Sequence, residues 1–208
     1  MLSYIALNGS LGTGFKESSL ERGVAHGAAF IGADSGSTDG GPYYLGSGAW
    51  IWSSRAYERD LGLGLLAAHR LGVPLIIGTC GGGGGDAAVD GYAEMVDRMA
   101  ADNGFRARVA CVQSEVDRDL LVDKYRAGKL RALPGAPDID EETLRLPGHV
   151  VAMAGAEPIQ DALATGADVV LLGRCADAAI FAAVPLTAGY DPGPVWNAAK
   201  IIECGSAA

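Results

Sequence analysis

Short runs of apolar, β-branched residues alternate with stretches of helical period along nearly the whole chain. Residues 3–7 read as a strand and lead into a glycine-rich loop at 9–14. A helix is expected over about 18–28, because Ser18 and Glu21 stand at the spacing of a capping box. A second strand at 30–33 breaks into the polar loop 34–42. Leu61, Leu65, Leu66 and the Ala67-Ala68 pair fall at helical spacing, which predicts a helix over 54–71 stopped by Gly72. Residues 73–79 form a continuous apolar run of the kind buried on both faces of a parallel sheet. Five glycines at 81–85 follow, and then a helix to about 103 with Asp86 at its N-cap. Residues 108–113 read as a strand, 118–127 as a charged helix and 130–143 as irregular chain. A strand at 150–153, a helix at 158–164 and a strand at 168–172 form a compact unit, and a last helix covers 194–202.

Strands alternating with helices in this way imply βαβ units. The expected fold is α/β: three layers around a doubly wound, mostly parallel, Rossmann-like sheet, with the chain as a single domain over 1–208. A β/α-barrel fragment is the alternative, since 158–172 resembles a barrel unit, but 208 residues is near the short end for eight strands.

Composition narrows the function. Sixteen Lys and Arg against 25 Asp and Glu leave a net charge of −9, which argues against nucleic acid. No apolar run approaches the roughly 20 residues a membrane helix needs, and residues 1–10 do not read as a signal peptide. Four dispersed cysteines, none in a C-x-x-C pair, fit free thiols in a reducing, cytoplasmic setting. Glycine is the outlier at 31 residues, clustered after the apolar runs where an α/β protein turns around a ligand.

Four loops at the expected carboxyl ends of strands carry the candidate chemistry: 9–14, 34–42, 79–86 and 173–177. Thr79 and the amides of Gly81, Gly82, Gly83 and Gly84, at a helix start, suit an anion; the plain alternative is a permissive turn. Asp34 and Asp39 bracket Ser35, Ser37 and Thr38, a set that divides acid and base roles, binds a hard cation or satisfies its own loop. Arg174 is placed to clamp a carboxylate or phosphate, with Asp177 as its orienting group or a base; a surface ion pair between the two is the alternative. Cys80 reads as a buried small residue sooner than a nucleophile, and Glu115 is a further strand-end carboxylate. Trp50, Trp52, Tyr43 and Tyr44 either wall a pocket or cap the core. His26, His69 and His149 show no metal-ligand spacing, so no metal site is assigned.

The runs IGADSGSTDGGPYYLGSG, RDL at 59–61, GVPLIIGTCGGGGGD, AGAEPIQDALATGADVVLLGRCADAAIFAA and KIIECG together resemble the acyclic terpene utilisation AtuA family. The resemblance implies a cytoplasmic bacterial protein of catabolism, and this chain resembles the amino-terminal portion of longer members. Family members usually carry a small residue such as Ala where Cys80 stands. The expected activity is proton-transfer chemistry of the hydratase, isomerase or lyase kind on a small carboxylate or acyl-CoA. Asp39, Asp177 and Asp34 would serve as catalytic groups, with Ser35, Ser37, Thr38, Thr79, the glycines and Arg174 holding the anion. A non-catalytic accessory subunit binding an acyl-CoA, a nucleotide or a partner protein is the second reading, and a metal-dependent hydrolase the third. A CoA thioester or a divalent cation, and a homo-oligomer or a partner subunit, stay open.

Overall fold

Five short apolar strands pair into one sheet in the computed structural model, which describes residues 2–36 and 41–205. The elements in chain order are β1 (Ile5–Ala6), α1 (Glu17–His26), β2 (Ile31–Asp34), α2 (Tyr43–Ser47), α3 (Ser54–Leu71), β3 (Leu75–Gly78) and α4 (Asp86–Asp102). After them come β4 (Val109–Val112), α5 (Arg118–Arg126), α6 (Glu141–Arg145), α7 (Glu157–Ala164), β5 (Val169–Leu172), α8 (Asp177–Thr187) and α9 (Pro192–Ile202). All neighbouring strands are parallel, in the order β1-β2-β3-β5-β4. This is the Rossmann-like α/β arrangement that the alternating pattern predicts.

The strands divide their side chains between two cores because successive residues point to opposite faces. Ile31, Ala33, Leu75, Ile77, Val169 and Leu171 pack with α1, α3 and α4. Ile76, Val170 and Leu172 pack with α7, α8 and α9. The chain moves one way across the sheet from β1 to β3, skips a place to β4, and returns to insert β5. The loops after β3 and β5 therefore leave toward opposite faces while their strands lie side by side. That is a topological switch point, where open α/β sheets gather ligands.

Several elements differ from the pattern-based expectation. Helix α1 starts at Glu17 with Lys16 as a cap that makes no side-chain bond, so Ser18 lies inside the first turn and the capping box is not formed. Residues 150–153 form no ladder; they cross between two loops through single bridges, Glu115 to Val151 and Ala154 to Cys175. Helix α2 follows directly on the expected 34–42 loop, where the pattern assigns no element, and α6, capped by Asp140, begins inside the stretch expected to be irregular. Helix α8 is absent from the periodicity reading because it is apolar all round: Ala179 to Ala183 are all buried, so no polar face marks a period. Burying Phe181 and Ile180 contributes roughly 1.5–3 kcal/mol each. Their close approach needs glycine in the sheet: a β-carbon on Gly32 would lie 2.9 Å from Phe181, and one on Gly78 would collide with Ile180.

Among the described residues, no helix is long and apolar enough to cross a membrane.

Candidate functional site

Three of the four expected loops meet at the switch point, and the first is joined to them by the Leu11 amide, which donates to the Asp34 carbonyl at 2.7 Å. Gly36, after β2, packs against Gly82 and Thr79, where an added β-carbon would lie 2.7 Å from the Thr79 methyl. Gly84 packs on the loop after β5: its φ is +73°, and a β-carbon there would lie 2.5 Å from the Arg174 nitrogen. The residues after α9 fold back over β1, setting Cys204 against Gly9 and Gly205 against Asn8. The 34–36 stretch, the pentaglycine run and Arg174 thus share one rim. Ser37, Thr38 and Asp39 lie outside the described residues.

The pentaglycine run is a packing hub more than an open cradle. Gly81, Gly82 and Gly84 are buried, and the amides of Gly82 and Gly84 donate to Thr79 and Cys80 carbonyls at 3.1 and 3.2 Å. Thr79 is fully buried at φ +48°, a conformation that a β-branched residue rarely adopts. Its hydroxyl donates to the Cys175 carbonyl at 3.3 Å and accepts from the Cys175 amide at 3.4 Å, tying the β3 loop to the β5 loop. Ser35 is also buried, its hydroxyl 2.5 Å from that of Tyr92. Of the expected anion-binding residues whose amides or side chains are not already engaged, Gly83 and Arg174 line a cleft of about 320 Å3, with Tyr44, Leu45 and Val151 among its walls. Arg174 enters no ion pair among the described residues, so the anticipated pairing with Asp177 is not made.

Two amide-rich turns already hold a carboxylate of the protein itself. Asp60, the centre of the RDL run, is fully buried and accepts from the amides of Gly12 and Gly14 at 2.9 Å each, and from the Asn8 side chain at 3.1 Å. Arg59 pairs with its other oxygen at 2.6 Å. At the start of α4 the cap is Gly85, not Asp86. The Asp86 amide donates to Glu115 at 3.1 Å, while the Asp86 carboxylate turns away to accept from the amides of Ser114 and Glu115 at 2.9 and 3.0 Å. Glu115 also meets His149 Nδ1 at 3.1 Å.

Asp34 is the perturbed group. It ends β2 with 2% of its surface exposed, and its Oδ1 has no hydrogen-bond partner among the described residues. Burial, and after it the neighbouring Asp177, push its pKa up to about 8 against the opposing pull of the Gly36 amide, the Arg174 charge and the Ser35 amide. Asp177, the first residue of α8, is also raised, by burial and then by Glu203, with Arg174 and Lys200 opposing. Glu203 is itself buried and paired with Lys200.

Cys80 is wholly buried with its thiol pushed up by desolvation, the opposite of an activated nucleophile. Trp50 meets Tyr57 edge-on and Tyr92 at a tilt against the core, whereas Tyr43 is exposed and Tyr44 lines the cleft. No group of three or more His, Cys, Asp or Glu among the described residues is gathered to hold a metal ion. Sequence reasoning did not find Glu203, Asp60 or the Glu115–His149 pair. Only the first carried a local signal, the i,i+3 spacing from Lys200.

The model of one protein family, described as acyclic terpene utilisation family protein AtuA, matches residues 77–207, more than half of the chain. The match takes in the pentaglycine loop, Arg174, Asp177 and the E-C-G run, and leaves Asp34 and the RDL run outside. No curated protein and no solved structure matches this chain.

Proposed function

The chain belongs to the acyclic terpene utilisation AtuA family, and from that membership and the strand-end carboxyls we propose an enzyme of proton transfer on a small carboxylate or acyl-CoA. One observation carries this reading: a buried carboxyl, Asp34, pushed to about 8 beside a second carboxyl, Asp177, at the switch point. At neutral pH Asp34 keeps its proton and is the acid of the two, and Asp177, held above the ordinary carboxyl range by burial, is its partner. Asp177 is half-buried and is the member that meets substrate; Asp34 behind it holds the proton. Arg174 and the Gly83 amide hold the substrate's anionic group. As that group enolises, the same donors stabilise the charge that develops. Asp39, from its place in the sequence, is the other proton carrier, with Ser37 and Thr38 as contacts to the anion.

The test is exchange of substrate α-protons in D2O, followed by NMR across a panel of short carboxylates and CoA thioesters. Exchange by the wild type is expected, with a loss of about 10²–10⁴-fold in Asp177→Asn and a similar loss in Asp39→Asn. A panel with no exchange, or an Asp39→Asn, Asp177→Asn double variant that exchanges at the wild-type rate, would overturn it. The accessory-subunit reading is favoured by the tight packing of the glycine loop, which leaves few groups for chemistry. Thermal stabilisation by CoA that persists in that double variant, without exchange, would establish it instead.

A further inference from the structure

At the end of the sheet opposite Arg174, where β3 and β5 begin, the two cores thin out and leave a hollow of about 680 Å3. Leu65, Val73 and Phe105 enter it from the core of α1, α3 and α4. Leu163, Ala167 and Val184 enter it from the core of α7, α8 and α9. Helices α3, α7 and α8 all end there and run out into Gly72, Gly166 and Ala188, residues too small to close the space. Strands of four residues, about 13 Å at roughly 3.3 Å a residue, separate this hollow from the switch point. Its volume is that of sites which enclose small organic ligands, roughly 300–1,000 Å3.

The charged groups stand on its rim. Arg108 donates to Asp168 from its backbone amide at 2.8 Å and from Nε and Nη2 at 3.2 and 3.1 Å. Its guanidinium lies across Gly166, where a β-carbon would come within 2.9 Å of Nη1. So exposed a pair adds little to stability, but it occupies Asp168, the one carboxylate on the lining among the described residues. The His69 ring stacks on Phe105, with centroids 3.8 Å apart and planes 9° apart, and gives the hollow a flat aromatic wall. Arg106 also lines the hollow and enters no ion pair among the described residues. Two guanidiniums against one carboxylate make this rim positive in a chain of net charge −9. An apolar floor beside an unpaired guanidinium suits an amphipathic anion: the floor takes a hydrocarbon body out of water, and the fork of Arg106 takes a carboxylate. A cation is repelled by Arg106, and a neutral hydrocarbon leaves it unused.

We propose that this hollow is a second binding site, for a monocarboxylate with a hydrocarbon body. The body lies against Leu65, Val73, Leu163 and Val184, and the head group accepts two hydrogen bonds from Arg106. The site is independent of the Arg174 cleft and of the chemistry proposed there, since the two share no lining residue.

Octanoate is the probe, titrated against the full chain in ¹H–¹³C methyl correlation spectra, with octan-1-ol as the neutral control. The methyls of Leu65, Val73, Leu163 and Val184 are expected to shift saturably, with octanoate bound about tenfold more tightly than octan-1-ol. Arg106→Gln, at an exposed position, should bring octanoate down to the level of the alcohol. Arg174→Gln should leave the titration of these four methyls unchanged. Ala188→Trp, at the exposed end of α8, should fill the hollow and abolish the shifts, with thermal melting showing that the fold is kept. Equal binding of octanoate and octan-1-ol, full binding by Arg106→Gln, or shifts confined to the Leu45 and Val151 methyls would overturn the proposal. So would shifts of the four methyls that follow protein concentration instead of octanoate, which would make the hollow the seat of a second copy of the chain.

Discussion

Asp34 ties stability to pH in a direction opposite to most carboxylates. Its pKa is about 8 in the folded chain against an ordinary 3.8. A group held above its unfolded value contributes stability that is complete below the unfolded pKa and is lost as pH rises toward the folded one. Between about pH 5 and pH 7 the folded chain keeps the proton and the unfolded chain does not. Stability should therefore fall by roughly 1.4 kcal/mol per pH unit from this residue alone. Across the whole interval the loss is on the order of 5 kcal/mol, comparable with the total stability of many domains. Other shifted carboxyls do not obscure the window. Asp140, Glu141 and Asp168 are held low by hydrogen bonds from Thr143, Arg126 and Arg108, so what they contribute is lost only on stronger acidification. Asp177 moves with Asp34, so the comparison has to be with a variant.

That variant is Asp34→Asn, which keeps the shape and removes the titration. Urea unfolding at pH 5, 6, 7 and 8 should show the wild type losing stability relative to Asp34→Asn by about 2–3 kcal/mol between pH 5 and pH 7. The readout is the slope of the difference with pH, whatever the absolute stability of the amide variant. Parallel stability curves for the two proteins over this range would refute the raised pKa, and with it the observation on which the proposed chemistry rests.

Three further outcomes follow from the packing. Asp60→Ala leaves the Gly12 and Gly14 amides, Asn8 and Arg59 without their acceptor. It should lower stability by about 3–5 kcal/mol and speed amide exchange at residues 12–14, read by urea titration and hydrogen exchange. Gly84→Ala sets a methyl against the Arg174 backbone at positive φ and should cost at least about 2 kcal/mol by thermal melting; a neutral result would show that the loops do not meet as described. With a thiol reagent, the exposed Cys111 and Cys204 should react in the native protein and the buried Cys80 and Cys175 only after unfolding, checked by mass spectrometry.

How far the fold was legible depended on whether each segment had two distinguishable faces. Helix α3 runs over Ser54–Leu71 as its periodicity predicts, because Ser53 and Gly72 mark its ends and its polar face contrasts with Leu61 and Leu65. Helix α8 has no such contrast, since α7, α9 and the sheet cover it from several sides. The run 150–153 is as apolar as a strand, but Met153 is exposed and the segment crosses loops instead of joining the ladder. Of the site, the residues next to glycines were legible and those acting across the fold were not. Glu115 and His149 are 34 residues apart, and Asp60 reaches Gly12 over 48. Local spacing carries no trace of pairs so distant.

The glycine-rich turns also show why composition points to anions without saying whose. The 9–14 loop has the amide-rich turn of an anion site, and Asp60 fills it from α3. The first turn of α4 has the partial positive charge of a helix start, and Glu115 fills it from the β4 loop. An acidic chain in this way satisfies two of its own turns with its own carboxylates, and the amides it uses there cannot select a ligand. On the proposed reading, what is left for an incoming anion is Arg174 and Gly83 in the cleft, near the buried Asp34, whose pKa is pushed up to about 8. Selectivity then rests on a planar guanidinium, so Arg174→Lys, which keeps the charge and loses the fork, should weaken carboxylate binding nearly as much as Arg174→Gln. Equal binding by Arg174→Lys and wild type in calorimetry would mean that the cleft reads charge alone.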